Sequence, residues 1–226
     1  MRNCIVRDLG RTRYTDALQI QQEIAAERKH GLGTDHLLFV EHPHVVTIGR
    51  NGHDENVLAS DDVLRATGIE LHYSDRGGDV TYHGPGQLVA YPIMDLRDWK
   101  RDVGAFVRGV EQVLIQSLAE FGIRARRIPA LPGVWVGEEA PAKIAAIGVH
   151  LSRWVSTHGW ALNVATDLKY FQYIVPCGLQ KPVTSMAALG VRAEIATVKD
   201  SLARHFAQIF DFELQVSEPV LTGEFR

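Results

Sequence analysis

The chain is poor in cysteine, with only Cys4 and Cys177 among its 226 residues. Two thiols permit at most one intramolecular bridge, so the fold does not rest on a disulfide framework. Long apolar runs are missing as well. No stretch approaches the roughly eighteen residues of a membrane span, and Arg2 and Arg7 flank too short an apolar stretch for a secretory leader. Reduced thiols and a cytoplasmic location are the expectation, with no membrane association. An excess of one charge is also absent: 27 acids against 24 bases leave a formal charge of −3. That argues against nucleic acid as a partner and leaves room for a local basic patch. There is no repeat, no low-complexity segment and no linker.

What is present is an ordinary globular composition, 46% apolar and 23% charged, in a chain long enough for one α/β domain with a substantial core. Ile5–Leu9 reads as a strand. Thr15 or Asp16 can cap a helix that buries Ala17, Ile20 and Ile24 and ends near Gly31. Leu37–Val40 and Val45–Ile48 read as buried strands joined by a turn at Glu41-His42-Pro43-His44. His42 and His44, with His53 nearby, have the spacing of metal ligands, but no cysteine or carboxylate completes the set, and polar turn residues are the plainer reading. Ser60 starts a short helix, and Ile69, Leu71 and Tyr73 alternate as in a half-buried strand. Asp102 caps the clearest helix, with Phe106, Val110, Val113, Leu114 and Leu118 on one stripe before Gly122. Arg124, Arg126 and Arg127 follow, as a solvated strand edge or a basic rim for an acidic protein. Pro132–Gly137 reads as a strand, Thr197–Phe210 as an amphipathic helix and Phe212–Val216 as a last strand. Helices and strands intermix without strict alternation, which predicts a mixed sheet flanked by helices.

Two stretches carry chemistry. The first is Arg76-Gly77-Gly78-Asp79-Val80-Thr81-Tyr82-His83, continuing through Gly84-Pro85-Gly86-Gln87. Its glycines let backbone approach a ligand closely, and exposed N–H groups there can hold an acyl carbonyl or a phosphate. It matches neither the Walker loop nor the dinucleotide fingerprint, because strand-like Leu88–Ile93 follows instead of a helix. The second runs from Lys143 to Cys177. Lys143 opens an apolar strand, and partial desolvation there favours a neutral amine. Cys177 sits in a Pro-Cys-Gly turn. An ammonium beside a thiol favours the thiolate, the nucleophilic form. An inert buried cysteine is the competing reading, and Cys4 is a bystander.

These residues carry a resemblance. The block Arg76–Leu88 resembles the signature of the octanoyltransferases of lipoate biosynthesis. Lys143 through Arg153-Trp154, Thr157-His158-Gly159 and Asn163 is similar to a second block of that family, and Asp167-Leu168, Phe171 and Ile174–Gly178 to a third. Asp79 stands where a glutamine is more usual. Together the blocks span nearly the whole chain.

The resemblance implies a single domain over residues 1–226, similar to the catalytic domain of the biotin and lipoate protein ligases. It implies octanoyl transfer from an acyl carrier protein to a lysine of lipoyl domains, those of 2-oxoacid dehydrogenase complexes and the glycine cleavage H protein, with no metal or other cofactor. Cys177 would bear the acyl thioester and Lys143 would favour its thiolate. Arg76 to His83, Ala146-Ile147-Gly148 and Gly159-Trp160-Ala161 would line the acyl site. A buried octanoyl tail gains roughly 0.8 kcal/mol per methylene, about 5 kcal/mol in all, and a strict eight-carbon preference requires a closed pocket end. An ATP-dependent lipoate ligase of the same fold and a non-catalytic acyl-carrier-binding module are the alternatives.

Overall fold

The computed structural model describes residues 1–175 and 181–217. Strand β1 (Arg2–Arg11) leads to α1 (Tyr14–Lys29), β2 (Asp35–Glu41), β3 (Val45–Ile48) and α2 (Asp61–Ala66). Strands β4 (Glu70–Tyr73), β5 (Val80–His83) and β6 (Gln87–Ile93) precede α3 (Val103–Glu120). Then come β7 (Ala125–Ile128), β8 (Leu131–Val136), β9 (Ala142–Ser152), β10 (Val155–Asn163), α4 (Ile195–Phe210) and β11 (Phe212–Val216).

Eight strands form one mixed sheet in the order β11-β1-β2-β6-β10-β9-β8-β7, and β4-β3-β5 form a second, smaller one. The two strands read as a pair, β2 and β3, therefore belong to different sheets. The central strands β2 and β6 are buried on both faces, which explains why Leu37–Val40 and Leu88–Ile93 read as apolar runs. Leu37, Phe39, Leu88, Ala90, Trp160 and Leu162 face the core built with α3 and α4. Their neighbours Leu38, Val40, Val89, Tyr91 and Ala161 face the opposite side, against Ala17, Ile24 and Ala25 of α1. Period-two alternation sorts each run between two cores.

Local chemistry sets the ends of the helices. Asp102 Oδ1 accepts from the Ala105 N–H at 2.8 Å, as its position before α3 predicts. The expected cap on α1 is displaced: the helix starts at Tyr14 after Arg13, which makes no side-chain cap, and Thr15 and Asp16 lie inside it. The expected turn at His42 is a buried junction. Its Nδ1–H donates to Thr12 O at 2.7 Å and its Nε2 accepts from Tyr91 Oη at 2.7 Å. Two of the three arginines near β7 brace the chain itself. Arg126 donates to Gly137 O and Glu138 O, and Arg127 to Glu111 Oε2 and Gln112 Oε1.

The pairing of β8 with β9 is irregular at one point. Val134 of β8 lies opposite Ala145, yet the next residue, Trp135, lies opposite Lys143, so Ile144 is an extra residue on β9. Such a bulge turns the side chains beyond it onto the other face. Ile144 and Ala145 both enter the α3/α4 core, and Lys143 is turned to face a cavity that Ala146 also lines.

Candidate active site

The small sheet and the glycine loop close over the middle of β9 and β10. Residues 74–79 connect β4 to β5, and the buried Arg76 side chain pins them to β3. Its Nε donates to Thr47 Oγ1 at 3.0 Å, and its Nη2 to Thr47 O and Asp79 O at 2.7 and 2.6 Å. Gly77 N–H donates to Val149 O of β9 at 2.9 Å, which lays the loop directly on the large sheet. The approach requires glycine at position 148, where a Cβ would stand 2.7 Å from Gly77 O. Asp79 closes the other side. Its Oδ1 accepts from the Val80 N–H and its Oδ2 from Asn56 Nδ2, at 2.8 and 2.6 Å.

Three adjoining cavities lie beneath this loop. The largest, about 740 Å3, has Gly77, Asp79, Lys143, Ile147, Asn56 and Leu131 among its walls. A small one of about 40 Å3 is lined by Thr81, Ala146 and Ala161 and extends to Tyr14, Tyr91 and His158. A third, about 10 Å3, shares Lys143 with the first and Thr81, Ala146 and Ala161 with the second. Lys143 thus stands where the wide cavity meets the narrow one. It is 8% exposed, and its Nζ lies 4.8 Å from the Trp135 ring centroid.

Of the residues singled out from sequence, Arg76, Gly77, Gly78, Asp79, Thr81, His83, Ala146, Ile147, Gly148, Gly159, Trp160, Ala161 and Lys143 line these cavities. Val80 and Tyr82 do not. They alternate with Thr81 and His83 along β5 and point into a separate core with Val46, Leu64 and Phe171. Tyr82 stacks on Tyr170 and hydrogen-bonds His44 Nδ1 at 2.8 Å. Cys177 lies outside the described residues, so its distance from Lys143 is not part of this geometry. The chain on either side of 176–180 is fixed. Val175 N–H donates to Asn56 O at 2.8 Å, and Lys143 N–H donates to Pro182 O at 2.9 Å.

Sequence reasoning missed a buried polar chain that ends at this lysine. His83 Nδ1–H donates to Gln87 Oε1 at 2.7 Å, Gln87 Nε2 to Asn163 Oδ1 at 2.9 Å, and Asn163 Nδ2 to Thr184 O at 2.9 Å. Thr184 N–H in turn donates to Lys143 O. The available signal was a pair of polar residues, Gln87 and Asn163, each flanking an apolar run, Leu88–Ala90 and Trp160–Leu162. Burial pushes the His83 imidazole down to about 3, so it is neutral near pH 7. Burial also lowers His158, although its Nε2–H donates to Asp75 at 2.7 Å. Burial therefore disfavours the charged form of both histidines that line the small cavity. Among the described residues, no group of three or more His, Cys, Asp or Glu side chains is placed to hold a metal.

Comparison with known proteins identifies the family. Residues 13–207 match the family model of the lipoyl protein ligase A/B catalytic domain. An octanoyltransferase of Solibacter usitatus is 67% identical over 214 residues, 95% of this chain and 96% of that protein. One of Myxococcus xanthus is 50% identical over 218 residues, 94% of this chain and 61% of that protein. The bi-partite lipoate protein ligase of Thermoplasma acidophilum superposes with a TM-score of 0.75, covering 98% of this chain and 88% of that one. At 18% identity, that likeness speaks for the fold. The chain belongs to the lipoyl protein ligase A/B catalytic-domain family and, within it, to the octanoyltransferases, which are acyltransferases.

Proposed function

We propose that the chain takes an octanoyl group from the thioester of an acyl carrier protein and delivers it to a lysine of lipoyl carrier domains, through an acyl thioester on Cys177. The acceptors are the lipoyl domains of 2-oxoacid dehydrogenase complexes and the glycine cleavage H protein. One observation carries this reading. Both ends of the segment that holds Cys177 are tied, through Asn56 and Lys143, to walls of the same cavity.

The chemistry is two acyl transfers. The Cys177 thiolate attacks the donor carbonyl, and the tetrahedral intermediate collapses with loss of the carrier thiolate. Lys143 takes the proton from the thiol and returns it to that leaving group. The first step exchanges one thioester for another and is nearly balanced in energy. The acceptor amine then attacks the acyl-enzyme and expels Cys177 as thiolate. The amine's surplus proton passes to Lys143, and the stable amide makes the second step effectively irreversible. The octanoyl tail runs from Lys143 past Ala146, Thr81 and Ala161 toward Tyr91, Tyr14 and His158, where bulky rings limit its length.

Intact-mass analysis tests the proposal directly. Mixing with octanoyl carrier protein should add one octanoyl group at Cys177, and a lipoyl domain should remove it. Cys177→Ser should abolish the adduct. An adduct on another residue, or an adenylate formed from ATP and free lipoate without any adduct, would overturn the assignment.

A further inference from the structure

Lys143 is held from beneath by a residue on the neighbouring strand. The bulge at Ile144 places Trp135 directly opposite Lys143 across the β8–β9 ladder, with the ammonium 4.8 Å from the indole centroid. An ammonium over an indole face is attracted by the ring quadrupole, most strongly where water is excluded. Both side chains are largely withdrawn from bulk water, Trp135 at 1% exposure and Lys143 at 8%.

The indole is itself anchored. Its Nε1–H donates to Leu131 O at 3.2 Å. The Leu131–Gly133 backbone is braced by the buried Glu111, whose Oε1 accepts from the Gly133 N–H at 3.2 Å while Oε2 accepts from Arg127 Nε at 2.9 Å. Gly133 has a φ of +118°, and a Cβ there would stand 2.7 Å from Ala145 O and 3.4 Å from Lys143 Cε. A side chain there would clash with the β9 backbone and would come into contact with the lysine stem.

We propose that Trp135 is a positioning residue for Lys143: its indole face fixes where the ammonium stands at the junction of the two cavities, and α3 holds the indole in place through Glu111. The inference rests on the reading of Lys143 as the charged group of the transfer site. Whenever Lys143 carries its proton, the indole face then gives the ammonium one defined location.

Two measurements test it. In protein labelled with 13C at lysine Cε, the Lys143 resonance, identified by its loss in Lys143→Arg, should be displaced upfield by the indole ring current. It should move into the envelope of the other lysines in Trp135→Leu and stay partly displaced in Trp135→Phe. In single-turnover acylation by octanoyl carrier protein, Trp135→Leu should lower the saturating rate about tenfold. The half-saturating donor concentration should stay unchanged, and Trp135→Phe should recover most of the rate. Thermal melts identify variants that fold. If Trp135→Leu does not fold, Trp135→Phe alone decides through its intermediate resonance and rate. A Lys143 resonance with no displacement in the unaltered protein overturns the proposal. So does a folded Trp135→Leu protein with an unaltered rate, or one whose loss lies wholly in donor affinity. If no acyl adduct forms on the unaltered protein, the transfer reading fails while the spectroscopic arm still decides the Trp135–Lys143 contact.

Discussion

Two buried histidines, His42 and His83, carry no charge at neutral pH. Burial pushes His42 down to about 4 and His83 to about 3, whereas an unfolded histidine titrates near 6.5. Between those values the unfolded chain binds protons that the folded chain refuses, so stability is lost as pH falls through this window. Denaturant titrations from pH 7 to 4 should show stability declining by up to about 1.4 kcal/mol per pH unit for each histidine. Replacing His83 with glutamine should flatten that slope, and equal slopes with and without His83 would exclude it as a source. Single residues are unevenly legible in the sequence. Lys143 and the glycines stand out because their chemistry is unusual in their context. His42 passes for a polar turn residue because a histidine looks the same in sequence whether it meets water or a buried Tyr91 hydroxyl. Trp135 looks like core, which it is, and nothing in the sequence says what lies across the ladder.

At the scale of elements, the loop between β4 and β5 depends on one cation reaching a third strand. Thr47 supplies both its hydroxyl and its carbonyl to Arg76, and Thr47 is wholly buried. Thr47→Val keeps the shape and deletes the hydroxyl, leaving a buried guanidinium with fewer acceptors. That change should cost about 1–3 kcal/mol in denaturant stability and slow octanoyl adduct formation on Cys177, because Gly77 and Gly78 are carried by the same loop. Loss of stability with full adduct formation would show that the loop tolerates looser moorings. Helices are the most legible elements, since α3 and α4 follow their apolar stripes closely. Strand β5 is hidden because its four residues sit inside the glycine-rich stretch, where turn chemistry dominates the local signal. The division of strands between two sheets is not legible at all. It depends on pairings between distant segments, such as Val45 with Glu70 and His83, that no local pattern encodes.

For the molecule as a whole, the fold decides when the Cys4 thiol can react. Cys4 lies in the α3/α4 core with no exposed surface, and burial pushes its thiol far above the ordinary range. In a Cys177→Ser protein, a thiol reagent should therefore label nothing while the fold holds. Cys4 should react only at the rate of global opening, and labelling should accelerate with denaturant in step with unfolding. Rapid labelling under native conditions would mean that the β1 edge opens by itself. The overall class, a mixed sheet with flanking helices, is legible from the unalternating order of elements. The order of the eight strands is not.

Strand β1 lies in register between two strands from opposite regions of the chain. Arg2 pairs with Phe212 on one side and Cys4 with Asp35 on the other. A ribosome delivers β1 first and β11 about two hundred residues later, so one flank of β1 waits bare through most of synthesis. Closing a loop of that length carries a large entropic toll before any contact repays it. Docking of β11 at the sheet's edge is thus a late event, and until it occurs the nascent chain presents an open strand flank of the kind that other chains can capture.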